Sequence, residues 1–177
     1  MILSAKEAEL LAEIGDRAER QNSDSSELIN VVNDAVREVF STMCEIDFGT
    51  DQEVVQGKPD SRLEISGVIS ISGTVDAIVV INMDRSLAIA ATEALLGDAP
   101  SEICDDVIET VAELANMVGG NAKDRIKQPG CNLGLPTVVH GTGHIVAMPG
   151  HMQFQLAKFE CAAGSLNLEL CSESKSN

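Results

Sequence analysis

"SRLEISGVISISGTVDAIVVINM", Ser61 to Met83, reads as two strands joined by a turn. The first part alternates through Leu63, Ile65, Gly67, Ile69 and Ile71, the period of two expected where one strand face is buried. "TVDAIVVINM" is a continuous apolar strand, and Ser72-Gly73 between the two has hairpin-turn chemistry. A hairpin implies antiparallel pairing. Strands grouped in blocks, rather than alternating singly with helices, argue for an α+β layer fold and against a doubly wound parallel sheet.

The segments on either side keep that pattern. Upstream, "SSELINVVNDAVREVF" repeats Leu28, Val31, Val32, Ala35, Val36, Val39 and Phe40 at helical spacing, with Ser26 as N-cap. Downstream, Asp84 caps the helix "RSLAIAATEALLG", and Gly97 stops it. A second, longer helix starts at Pro100-Ser101 and ends before Pro129-Gly130. Glu102, Asp105 and Asp106 lie near its start, and Lys123, Arg125 and Lys127 near its end, the charge order favoured by the helix dipole. "LPTVVHG", "QFQLAKFEC" and "SLNLELC" return to strands. Residues 1–24 read as a helical N-terminal extension, 25–172 as one domain and 173–177 as a frayed tail.

Composition narrows the function. The formal charge of −16 repels nucleic-acid phosphates and anionic lipid, and the absence of Trp and Tyr removes base-stacking platforms. No apolar run is long enough for a membrane span, and the acidic N-terminus lacks a signal-peptide core, so a cytoplasmic location is expected. Five cysteines without a CxxC pair read as reduced structural thiols. His140, His144 and His151 have no nearby carboxylate or Cys and read as ordinary histidines, so no metal site is expected. No P-loop or GxSxG occurs.

Along the second, longer helix, at about 100° per residue, Ile103, Val107, Val111, Leu114 and Val118 form the buried stripe. Ile108, Ala115 and Ala122 widen it. Glu109, Glu113, Asn116, Gly120, Lys123 and Lys127 gather opposite. Asn and the pair Gly119-Gly120 weaken a helix at exposed positions where Ala, Lys or Glu would serve better. A helix that keeps them is keeping a flat, specific face for a partner. Solvated Glu residues are ordinary on any helix, so this face becomes informative only in context.

"ELANMVGGNAKDRI" resembles the E-x-x-N helix of the CheC/CheX family of chemotaxis phosphatases, and most closely the CheX branch. "LGLPTVVHG", "FSTMCEID" and "FECAAGSLNLEL" are similar to other CheX segments, and the resemblance covers about residues 27–172. It implies a CheC/CheX-like layered fold, a mixed or antiparallel β-sheet with two long helices packed on one face. One site per chain is implied, because "RSLAIAATEALLG" has Leu96 three after Glu93 and so no second E-x-x-N. Where the family often has Ser or Asp four before the motif Glu, this chain has Glu109.

The family's activity is hydrolysis of the aspartyl phosphate on CheY-type response regulators. By resemblance, Asn116 orients the attacking water and Glu113 holds the partner's lysine. Gly120 gives clearance, and Glu109 and Lys123 touch the partner. The expected partner is a phosphorylated CheY-type receiver domain, which carries its own Mg2+. No cofactor is expected in this chain, and a homodimer is implied. The alternative is a non-catalytic module of the same fold that binds a response regulator or another two-component protein.

Overall fold

A computed structural model describes residues 26–49, 53–126, 130–150 and 152–174. The expected N-terminal extension at 1–24, Lys127, His151 and residues 175–177 lie outside these. Helix α1 spans residues 26–44. There follow β1 (Val54–Gln56), β2 (Ile65–Ser72), β3 (Val75–Met83), α2 (Arg85–Leu96) and α3 (Asp105–Arg125). Then come β4 (Asn132–Leu133), β5 (Thr137–His140), β6 (Gln153–Cys161) and β7 (Gly164–Ser174). The strands form one sheet in the order β1-β6-β7-β3-β2-β4, with β5 also on β2. Every pairing is antiparallel.

The registers show how alternation becomes a core. Ile65, Gly67, Ile69 and Ile71 stand opposite Met83, Ile81, Val79 and Ala77. Those four stand opposite Leu166, Leu168, Leu170 and Ser172. Directly paired residues share a sheet face, so this is one layer, apolar but for Ser172, and all of it is buried. The buried sides of α1, α2 and α3 close over it in a single hydrophobic core. Phe40 of α1, Phe48 and Phe159 of β6 continue that core as tilted ring pairs, with centroids 5.2 and 5.1 Å apart.

The opposite sheet face explains why the middle of β3, Ala77 to Ile81, is continuously apolar. Val80 on that side is fully buried, beside the buried polar residues Ser66, Asn82 and Glu169. Arg62 reaches over this face and grips Glu169 with two hydrogen bonds, 2.9 and 2.6 Å. Asn82 accepts from the Leu63 amide at 2.8 Å and donates to Ser66 Oγ at 3.0 Å. Few waters reach these groups, so their partners must come from the chain.

Several boundaries differ from the sequence reading. The β2–β3 turn is formed by Gly73 and Thr74, one residue later than Ser72-Gly73. Gly73 takes φ 135°, where a side chain would be strained, and a Cβ there would lie 2.1 Å from the Gly130 carbonyl oxygen. Ser26 is already helical and so is not the N-cap of α1. Helix α3 starts at Asp105, not at Pro100-Ser101. The Ser101 carbonyl instead accepts from the Arg85 guanidinium at 2.7 Å, holding that segment outside the helix. The tail read as frayed from 173 is paired for two more residues, Asp76 with Glu173 and Val75 with Ser174. The short strands β1 and β4 carry too few residues to show a period.

Asp84 and Gly97 do act as the caps of α2. Asp84 Oδ1 accepts from the Leu87 amide at 2.8 Å, and Gly97 ends the helix with φ 82° while its N–H bonds to Glu93 O.

Candidate functional site

Helix α3 is bedded on the sheet by residues that leave no slack. Val107, Thr110, Val111, Leu114, Ala115, Val118, Gly119 and Ala122 are its buried side. Beneath them Gly67 of β2 acts as a socket. A Cβ at Gly67 would stand 2.9 Å from Ala115 Cβ and 3.0 Å from the Val111 carbonyl oxygen. A Cβ at Gly119 would stand 2.9 Å from both Ile69 Cγ2 and Leu133 Cδ1. The two glycines therefore let helix and sheet backbones approach closely. Gly119 was expected on the wet face with Gly120, but it is buried: one residue is about 100° of rotation, enough to turn it to the sheet.

The other side of α3 carries the expected strip. Glu109 and Glu113 are exposed, and Asn116, Gly120 and Lys123 are half-buried. Glu113 and Asn116 are neighbours at i,i+3, with Cβ atoms about 5–6 Å apart in such a pair. Among the described residues, neither the Glu113 carboxylate nor the Asn116 amide has a hydrogen-bond partner in the chain. Both are free for an outside group. Gly120, one turn past Asn116, has nothing within 4 Å of where its Cβ would be.

Charge near the strip is divided. Lys123 Nζ lies 3.7 Å from the exposed Asp124 carboxylate, a pair weakened by solvent. Arg125 turns away to Glu38 and Asp34 and joins the end of α3 to the middle of α1. Asp105 and Asp106 in the first turn, with Lys123 and Arg125 in the last, complement the helix dipole. Cys104 occupies the N-cap position without a side-chain cap bond, and it packs against the core.

The remaining sequence candidates have other surroundings. His144 Nδ1 lies 2.9 Å from the Gly141 carbonyl, which only accepts, so Nδ1 carries the proton. Its Nε2 then accepts from the Ser66 hydroxyl at 2.7 Å. This ring fastens the 141–149 segment to the sheet. His140 is exposed on β5. Among the described residues no three His, Cys, Asp or Glu side chains stand together as metal ligands. All five cysteines are free. Burial pushes the Cys44 and Cys171 thiols up to about 11. No described helix is long and apolar enough to cross a membrane.

Reading the sequence missed the residues that position the strip. Gly67 looked like one step in a strand alternation and Gly119 like half of an exposed pair. Their tight contacts join β2, β4 and α3, which are far apart in the chain.

Comparison with known proteins agrees with this architecture. The model of the family described as "Chemotaxis phosphatase CheX" matches residues 65–160, more than half of the chain. No curated protein matches. Among solved structures, a CheC-like superfamily protein from Shewanella sp. PV-4 is similar at 26% identity and TM-score 0.75, covering 82% of this chain and 97% of that one. The chemotaxis protein CheX from Desulfovibrio desulfuricans is similar at 25% identity and TM-score 0.75, covering 83% and 99%. A chain of the CheX–CheY–BeF3–Mg2+ complex from Borrelia burgdorferi shares the fold at 17% identity and TM-score 0.63, covering 82% and 97%. With its antiparallel sheet, its helices on one face and the family match running from β2 through α3 into β6, this chain belongs to the CheX family of chemotaxis phosphatases.

Proposed function

We propose that this chain hydrolyses the aspartyl phosphate of a CheY-type receiver domain by inserting the Glu113/Asn116 face of α3 into the receiver's phosphorylation site. The observation that carries this reading is the pair itself. A carboxylate and an amide stand one turn apart on the free side of a helix whose other side is buried, and among the described residues neither has a partner in the chain. The Borrelia CheX relative, which forms a complex with CheY, supports the choice of partner.

In this reading a water attacks phosphorus in line, the bond from phosphorus to the aspartyl oxygen breaks, and the carboxylate leaves as inorganic phosphate forms. Such a transfer needs positioning and charge stabilisation more than a strong base. The Asn116 amide suits the first need. It both accepts from and donates to a water and takes no proton itself. Glu113 holds the receiver's lysine through a charge-assisted hydrogen bond and so sets the helix over the phosphate. Glu109 and Lys123 contact the receiver surface on either side. Mg2+ is bound by the receiver, where it offsets the phosphoryl charge, and the protein works in the cytoplasm.

A homodimer belongs to the same proposal. Leu135 and Ile145, 90% and 81% exposed, flank edge strand β5 and offer an apolar surface to a second copy. Sedimentation velocity of the purified chain checks this. A monomer at micromolar concentration contradicts it.

The decisive experiment follows phosphate release from a Mg2+-loaded, phosphorylated receiver with and without the chain. Wild type accelerates release, and Asn116→Ala does not while still binding the beryllofluoride-activated receiver. Equal rates for Asn116→Ala and wild type refute the mechanism. Binding without acceleration by wild type selects the non-catalytic module instead.

A further inference from the structure

Gly120 has no task inside this chain. Its neighbour shows what such a task looks like, since Gly119 is needed because any Cβ would press on Ile69 and Leu133 at 2.9 Å. At Gly120 a Cβ would meet nothing within 4 Å. Backbone conformation does not require a glycine either. Gly120 lies inside α3 and is not among the glycines with positive φ. An interior helical glycine without packing or conformational reason is a pure loss of helix stability. The position lies one turn beyond Asn116 on the free side.

Shape explains where the return comes. A helix with ordinary side chains stands about 5–6 Å from its axis, whereas its Cα atoms lie at about 2.3 Å. An Asn side chain is short and ends near the height of ordinary neighbours. Asn116 reaches into another protein's site only if that protein sinks below the usual helix surface beside it.

Resting on the receiver-phosphatase reading, we infer that Gly120 is a docking position, where backbone of the receiver loop next to the phosphorylated side chain lies directly on α3. That contact sets how deep Asn116 enters. Gly120 is therefore a positioning residue: a side chain there weakens docking directly and, by holding Asn116 back from the phosphate, lowers turnover as well.

The test pairs three measurements on Gly120→Ala and the bulkier Gly120→Leu: thermal midpoint, affinity for a Mg2+–beryllofluoride-activated CheY-type receiver, and steady-state phosphate release. Gly120→Ala is expected to melt no lower than wild type, because a Cβ fits freely and favours helix. Its affinity should fall at least tenfold, with KM raised more than kcat is lowered, and Gly120→Leu should fall further on both readouts. A lower melting midpoint for Gly120→Ala overturns the inference, because it reveals an internal role. Wild-type affinity and turnover in Gly120→Leu overturn it too, while the phosphatase reading survives through Asn116→Ala. If wild type binds the receiver without hydrolysis and Gly120→Ala loses that binding, the docking role stands and the catalytic reading falls. If wild type neither binds nor dephosphorylates receivers, both fall.

Discussion

At Asn116 the choice of an amide over a carboxylate separates two kinds of chemistry. Asp at this position would only accept hydrogen bonds and would bring a negative charge toward a phosphoryl group. Asn116→Asp is therefore expected to lower phosphate release at saturating receiver by about 10²-fold, the scale of a misplaced reacting group. A general-base mechanism predicts the reverse, with Asp equal to or better than Asn, and stopped-flow turnover decides between them. In the proposed mechanism Glu113 acts differently, by holding rather than by chemistry. Glu113→Gln keeps the shape and removes the charge, so it should cost about 1–2 kcal/mol, the difference between a charged and a neutral hydrogen bond. That loss should appear mainly in KM and shrink as salt is raised. Both side chains were legible in the sequence because helical period alone decides which residues share a free face.

Among the elements, α3 is only as well placed as the contact that seats it. The Val111 carbonyl oxygen lies 3.0 Å from a Cβ built on Gly67, and helix backbone cannot yield as a side chain does. Gly67→Ala is thus expected to destabilise the fold by about 1–3 kcal/mol through overpacking. It should also lower dephosphorylation, because the helix must lift from β2. A urea midpoint and an activity assay on the same sample check both. An unchanged midpoint would mean that the helix seats with more tolerance than these contacts allow. Helix α2 depends on its cap. Asp84 accepts from Leu87 through Oδ1 and from the Ser165 amide at 2.7 Å through Oδ2, joining the helix start to the β6–β7 turn. Asp84→Ala should cost about 1 kcal/mol or slightly more, read as a lower denaturation midpoint with little change in receiver binding. The cap was readable from sequence; its second bond, to a residue 81 positions away, was not.

The whole molecule rests on a sheet covered on both faces, and the second face is held by a buried ion pair. Side-chain exposures of 11% for Arg62 and 5% for Glu169 leave the pair little solvent. Glu169→Ala strands a buried guanidinium and should cost about 3–5 kcal/mol, which equilibrium unfolding measures. Alkaline pH acts on the whole fold through Cys44 and Cys171. Both thiols rise from 9.0 to about 11 on burial, and for Cys171 the nearby Glu169 adds to the rise while Lys58 opposes it. The folded protein thus keeps protons that the unfolded chain releases above pH 9. Their contribution is intact below that pH and is lost as pH rises toward 11. Unfolding midpoints at pH 8 and 10.5 should differ less in Cys44→Ala than in wild type.

Local patterns determined much of this protein. The alternation of Ile65 to Ile71, the caps Asp84 and Gly97, and the division of α3 into a buried stripe and a free strip with Glu113 and Asn116 all follow from periods and propensities within a few residues. Tertiary structure decided the rest. It separated Gly119 from Gly120, made Gly67 a socket, and ended α2's approach with the Arg85–Ser101 contact that delays α3 to Asp105. Arg62, too, found Glu169 across 107 residues. The physical reason is that contact distances of about 3 Å between remote segments depend on the three-dimensional path of the chain, which no local period encodes.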